Sequence, residues 1–171
     1  YSKVAKDYDA ARDVLKTARP FVTRFSSSGY INDLAEGQLC VVMGYSGDIN
    51  IARQRAIDAK SGQDIRALIP ATGATLFFDT MAITKDAKHP KNAAAFIDFY
   101  LRPENAARMA NEMTYPTGNA AAMDKIKPEI AGNKTIFVES GYFAKMIPPS
   151  SFTNEAREAM ANAYNSFKKG K

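Results

Sequence analysis

"VVMGYSGDINIARQRAIDAK", residues 41–60, changes its period halfway along. Val41, Val42 and Met43 form a short apolar run that ends at Gly44, the pattern of a buried strand stopping at a turn. From Ile49 to Lys60 the apolar side chains recur at helical spacing, and Gly62 follows as a stop. The turn between them holds an aromatic ring, Tyr45, and a carboxylate, Asp48. In open α/β sheets, ligands bind at the ends of strands.

Working outward, the spacing predicts helices over 9–19, 31–36, 49–60, 90–101, 103–112 and 151–168. Ala11, Val14, Leu15 and Ala18 mark the first, which Pro20 closes. Pro90 and Pro103 stand at the starts of two others, where the missing N–H of proline does no harm. Strands are expected over 38–44, 64–69 and 75–84, and 116–150 reads as turns with short helical pieces. No internal repeat or low-complexity stretch interrupts this order. Strands separated by helices favour parallel pairing. The pattern is α/β, but with too few strands for its helices, and so small a sheet leaves apolar edges open. Part of the sheet is therefore expected to lie outside this chain.

The 171 residues suffice for one ordinary domain or two small lobes. With 46% hydrophobic and 24% charged residues, the chain falls in the globular range. No stretch approaches the ~20 apolar residues of a membrane helix. It opens on YSKVAKDYDA, without a starting Met or a signal peptide, and reads as a mature form or a fragment. The net charge is +5. Lys85, Lys88 and Lys91 surround a turn, and Lys168, Lys169 and Lys171 form a tail. Neither group is interleaved with aromatics, so these are expected to be solvated lysines, with no nucleic-acid partner.

Catalytic patterns are sparse. No Cys or His pair has metal spacing, and the one histidine, His89, precedes Pro90 in a polar turn and reads as a surface residue. PATGATLFFD lacks the Lys-Ser or Lys-Thr of a phosphate loop. No cofactor is expected. Asp48 and Asp79 have the chemistry of an acid–base pair, but nothing accompanies them as a nucleophile, and a binding protein ranks above an enzyme. The one cysteine, Cys40, lies in the apolar run LCVVM and reads by default as a buried thiol.

What remains is aromatics beside acids. In TLFFDTMAI, residues 75–83, period-2 alternation puts Phe77 and Asp79 on one face. Tyr45 and Asp48 form a second such pair. A carboxylate accepts hydrogen bonds from an ammonium, and an aromatic face attracts the cation and packs on methylenes. Two pairs suit a slender ligand with amines and an aliphatic stem. Bland alternatives stand beside each residue. Asp48 placed near a helix start is a capping residue, the reading that local sequence favours. Phe77 is a candidate for the core. Asp79 needs some partner if its strand is buried. Tyr115, in EMTYPTGNAAA, is either a loop aromatic covering the core or part of the site.

GYSGD followed by a helix, then IPATGATLFFDTMAI, then HPKNAAAFIDFYLRPENAARMANEMTYPTGN, resembles the later half of periplasmic polyamine-binding proteins. The likeness is strongest to the putrescine-binding subgroup, and it runs over essentially the whole chain. The resemblance implies a two-lobed periplasmic binding protein fold (type II) that closes on its ligand, with this chain as the C-terminal part. Residues 1–70 would complete the second lobe, and 71–171 the first lobe and the C-terminal helices. It implies capture of a protonated polyamine, putrescine before spermidine, for uptake by an ABC permease of the inner membrane. Asp48 and Asp79 match acids that contact amines in the family; Phe77 and Tyr115 match positions of its aromatic box. Tyr45 stands where putrescine binders usually carry Trp, a smaller aromatic face. Ser46 lies in the motif without an expected role. The N-terminal half of the same protein would be a partner, and an exported location suggests a disulfide between Cys40 and that half. A same-fold binder of another solute, and an enzyme using Asp48 and Asp79, are the alternative readings.

Overall fold

A computed structural model of the protein describes residue 2, residues 4–148 and residues 152–170. In chain order the helices are α1 (Ala5–Ala18), α2 (Tyr30–Ala35), α3 (Ser46–Asp58), α4 (Pro90–Leu101), α5 (Pro103–Met113), α6 (Pro128–Ala131) and α7 (Asn154–Lys169). Short 3-10 helices occupy Arg19–Phe21, Ala120–Lys125 and Ser140–Lys145. The helices lie close to the segments expected from spacing. Ser151, the expected start of the last one, lies outside the described residues, and α7 begins where the Thr153 hydroxyl accepts the Ala156 N–H at 3.2 Å.

The chain forms two compact units. The first comprises the described residues within 1–27 and 147–171. In it α1 packs on α7. Arg19 joins them: its Nε donates to the Lys168 carbonyl at 3.2 Å, and its guanidinium lies 5.4 Å from the Phe25 ring centre. Phe25 in turn meets buried Phe167 edge-on, with ring centres 5.3 Å apart.

The second unit, residues 28–146, carries two small cores. Leu34, Ala35, Ala52, Ala56 and Ile65 form one, where α2 lies on α3. Ala106, Ala107, Ala110, Ala122 and Ile126 form the other, where α5 lies on the 3-10 helix Ala120–Lys125. Alanine dominates both, so backbones approach closely and little apolar area is buried per residue.

The three expected strands do not form. Segments 38–44, 64–69 and 75–84 contain no strand among the described residues. A strand is held only by hydrogen bonds to a neighbouring strand, and among the described residues these segments have no more than one isolated bridge, at Thr75. Ile65 reaches the first core and Val42 packs against it, but other apolar side chains of these segments are uncovered: Val41 is 90% exposed, Met43 100% and Leu68 84%. The expectation of a buried thiol is overturned for the same reason. Cys40 is free and exposed: of its run, Leu39 and Val42 are half-buried, while Cys40, Val41 and Met43 face outward. The α4 helix, AAAFIDFYL through most of its length, buries no residue.

Candidate functional site

The turn at 44–48 builds a site around one carboxylate. The helix starts earlier than spacing suggests, at Ser46, so Asp48 lies inside its first turn. A negative charge there meets the positive end of the helix dipole. The capping position falls to Tyr45, whose backbone is extended (φ −75°, ψ 146°) and whose side chain makes no cap bond.

Asp48 is occupied by two phenols instead. The Tyr30 hydroxyl donates to Oδ2 at 2.5 Å, and the Tyr115 hydroxyl donates to Oδ1 at 2.9 Å. The Tyr30 oxygen also accepts the Tyr45 backbone N–H at 3.4 Å. Three elements thus converge on one side chain: α2 brings Tyr30, α3 brings Asp48, and the end of α5 brings Tyr115. Burial, then the hydrogen bond to Asp48, pushes the Tyr30 phenol up to about 12. The same causes in the same order raise Tyr115 well above the ordinary phenol value. Both therefore remain donors throughout the neutral range.

Close backbone approaches make the convergence possible. A Cβ on Gly47 would come within 2.1 Å of the Tyr115 ring, and one on Gly44 within 2.7 Å of the Tyr30 ring. Only glycine leaves these rings their places. Thr114, just before Tyr115, closes α5 in the left-handed conformation at φ 53°. A β-branched residue is strained there, by about 1–3 kcal/mol. Its buried hydroxyl donates to the Gly47 carbonyl at 2.9 Å, which ties the end of α5 to the first turn of α3. On another side of α3, buried Asn50 donates to the Ser46 carbonyl at 2.8 Å and to the Thr135 hydroxyl at 3.0 Å, and accepts from Asn133 at 2.9 Å. The bonds to Thr114, Thr135 and Asn133 hold the start of α3 against distant parts of the chain, and the one from Asn50 to Ser46 closes within the helix.

The aromatics pair differently from the sequence grouping. Tyr45 and Phe77 meet edge to face, with ring centres 5.3 Å apart and planes at 75°, a favourable arrangement of aromatic quadrupoles. Both rings are exposed on their remaining faces. Tyr45 is therefore coupled to Phe77, and Asp48 to Tyr30 and Tyr115. Asp79 is exposed and makes no ion pair or hydrogen bond among the described residues, so the partner that a buried strand would have required is not needed. Phe77 is not core. Ser46 contributes its carbonyl to Asn50, and His89 is an exposed residue ahead of α4.

Tyr30 was not legible as a site residue. It lies 18 positions before Asp48, in SSSGYINDLAEG, where its only local signal is an apolar position in a short helix.

Comparison with known proteins extends the picture. Residues 1–146 match the family model described as bacterial extracellular solute-binding protein. The chain is 37% identical, over 97% of its length, to the putrescine-binding periplasmic protein SpuD of Pseudomonas aeruginosa (strain UCBPP-PA14), covering 45% of that protein. It is 35% identical, over 99% of its length, to the putrescine-binding periplasmic protein PotF of Escherichia coli (strain K12), covering 46% of it. A spermidine/putrescine-binding periplasmic protein of the same Escherichia coli strain is 33% identical over 79% of the chain, which covers 37% of that relative. The chain thus spans less than half the length of these relatives.

Proposed function

Because the chain belongs to the bacterial extracellular solute-binding protein family, we propose that it is the C-terminal part of a periplasmic protein that captures a protonated polyamine. Putrescine is the first candidate and spermidine the second. The protein does not transform its ligand; it hands it to an ABC permease in the inner membrane. The observation that carries this reading is the Asp48 carboxylate, gripped by Tyr30 and Tyr115 within one unit that also holds the edge-to-face pair of Tyr45 and Phe77.

The chemistry follows from these parts. A carboxylate has about four acceptor positions on its two oxygens. The phenols take one on each and leave one on each for the N–H groups of an ammonium. Tyr45 and Phe77 supply aromatic surface for a cation and for its methylenes. Asp79, exposed and unpaired among the described residues, is a second acid for the second ammonium of a diamine. Exclusion of water on closure strengthens each contact, because attraction between charges grows as the local dielectric falls.

The remaining half of the site and of the fold belongs, in this proposal, to an N-terminal half of the same protein. Uncovered α4, and segments 38–44, 64–69 and 75–84, which form no strand among the described residues, are where its strands and helices would pack to give the two-lobed α/β architecture. Residues 1–70 would complete the second lobe, and 71–171 the first. An exposed, free Cys40 is available for a disulfide to that half.

Calorimetric titration of the full-length protein with putrescine, spermidine and an amino acid tests the function. Saturable binding of a diamine or triamine, with none of the amino acid, is expected. Absence of amine binding at every accessible concentration sinks the proposal.

A further inference from the structure

We infer that Tyr30 is a positioning residue of the amine site, orienting the Asp48 carboxylate toward the ligand; this rests on the polyamine reading above. Tyr30 is only 5% exposed, so it offers no face to a ligand. Its single hydroxyl is engaged within the protein both as donor and as acceptor. One oxygen lone pair receives the Tyr45 backbone N–H at 3.4 Å, and the hydrogen is donated to Asp48 Oδ2 at 2.5 Å. A phenol has one hydrogen to donate. With its oxygen facing the Tyr45 amide, that hydrogen is directed at the carboxylate.

The consequence falls on Asp48. Held at one oxygen by Tyr115 alone, the carboxylate would keep freedom to rotate about its last bond, because torsions onto a planar group are soft. Held at both oxygens, by residues from α2 and from the end of α5, it presents its plane in one orientation. A ligand ammonium then finds acceptors already placed, and less freedom is lost on binding. Packing alone does not need the hydroxyl. The ring seated over Gly44 would fill the same space as phenylalanine, so the oxygen is the part to be tested.

The experiment is a double-substitution cycle in the full-length protein: unsubstituted, Tyr30→Phe, Asp48→Asn and the pair together. Each is titrated with putrescine by calorimetry and unfolded by denaturant without ligand. Asp48→Glu replaces Asp48→Asn should the latter bind too weakly to measure. Tyr30→Phe should fold and weaken putrescine binding by roughly tenfold, the scale of one hydrogen bond to a charged group. In the Asp48-substituted background the same change should cost almost nothing further, because the effect runs through the carboxylate. Unchanged affinity in Tyr30→Phe overturns the inference. So do penalties that simply add, which belong to general packing, and so does a Tyr30→Phe protein that cannot fold. An unsubstituted protein that binds no putrescine overturns the polyamine reading itself, and the inference with it, and is distinguished by that control alone.

Discussion

The Tyr115 ring lies on the backbone of Gly47 so closely that a Cβ there would sit 2.1 Å from a ring carbon. That contact spaces the first turn of α3 so that Asp48, one residue on, reaches the Tyr115 hydroxyl. Gly47→Ala should push the ring away and break this bond. The expected cost is about 1–3 kcal/mol of stability, the usual range for overpacking, together with weaker amine binding. Denaturant unfolding and calorimetry of the same variant read both. A variant equal to the unsubstituted protein in both would mean that the ring has another place to go.

Asp48→Asn should damage the fold as well as the site. An amide keeps one acceptor oxygen and turns the other position into a donor, so Tyr30 or Tyr115 loses its acceptor. An unsatisfied buried hydroxyl costs about 1–3 kcal/mol. Denaturant midpoints without ligand should fall accordingly. An unchanged midpoint would show that the two phenols draw nothing from the carboxylate charge.

Asp79→Asn should behave in the opposite way. Asp79 is exposed and unpaired among the described residues, so ligand-free stability should stay within the ~0.5 kcal/mol scatter of surface changes. Putrescine affinity should fall by roughly 10- to 150-fold, for a hydrogen bond to a charged group worth about 1.5–3 kcal/mol. Large loss of stability at constant affinity would remove Asp79 from the site.

Alkaline pH should weaken the protein through Tyr30 and Tyr115. Both phenols are raised in the folded state, Tyr30 to about 12, whereas in the unfolded chain they titrate near ~10. Above the unfolded value the unfolded chain binds fewer protons than the folded one, so stability falls as pH rises. The contribution is complete below about pH 10 and is lost on passing through the folded values. Unfolding midpoints between neutral pH and the alkaline range, with phenolate absorbance recorded alongside, measure this. In Tyr30→Phe the alkaline loss should be smaller. An identical loss in that variant would assign the pH dependence to other groups.

Cys40 should be disulfide-bonded in the full-length protein. Its thiol is free and exposed, next to the exposed Val41, and disulfides persist in exported proteins. Mass analysis without reducing agent, after blocking free thiols, decides the point. A blocked Cys40 in protein isolated under oxidising conditions counts against the bridge.

The sequence by itself determined the parts whose forces are local. Helix α4 starts at Pro90 and α5 at Pro103, as expected, because a helix closes its hydrogen bonds within a few residues and a proline marks its first turn. Asp48 and Tyr45 were legible as an acid and an aromatic at a turn, and the three quoted motifs were enough to place the chain in its family. Tertiary structure decided which groups meet. It took Asp48 from helix capping to a pair of phenols, one of them 67 residues away, and it set Tyr45 against Phe77 across 32 positions of chain. Tyr30 entered the site only through the packing of α2 on α3. Segments 38–44, 64–69 and 75–84 have strand composition, yet no strand forms among the described residues. A strand's hydrogen bonds belong to its neighbour, and an alternating or apolar run cannot specify a partner that it does not contain.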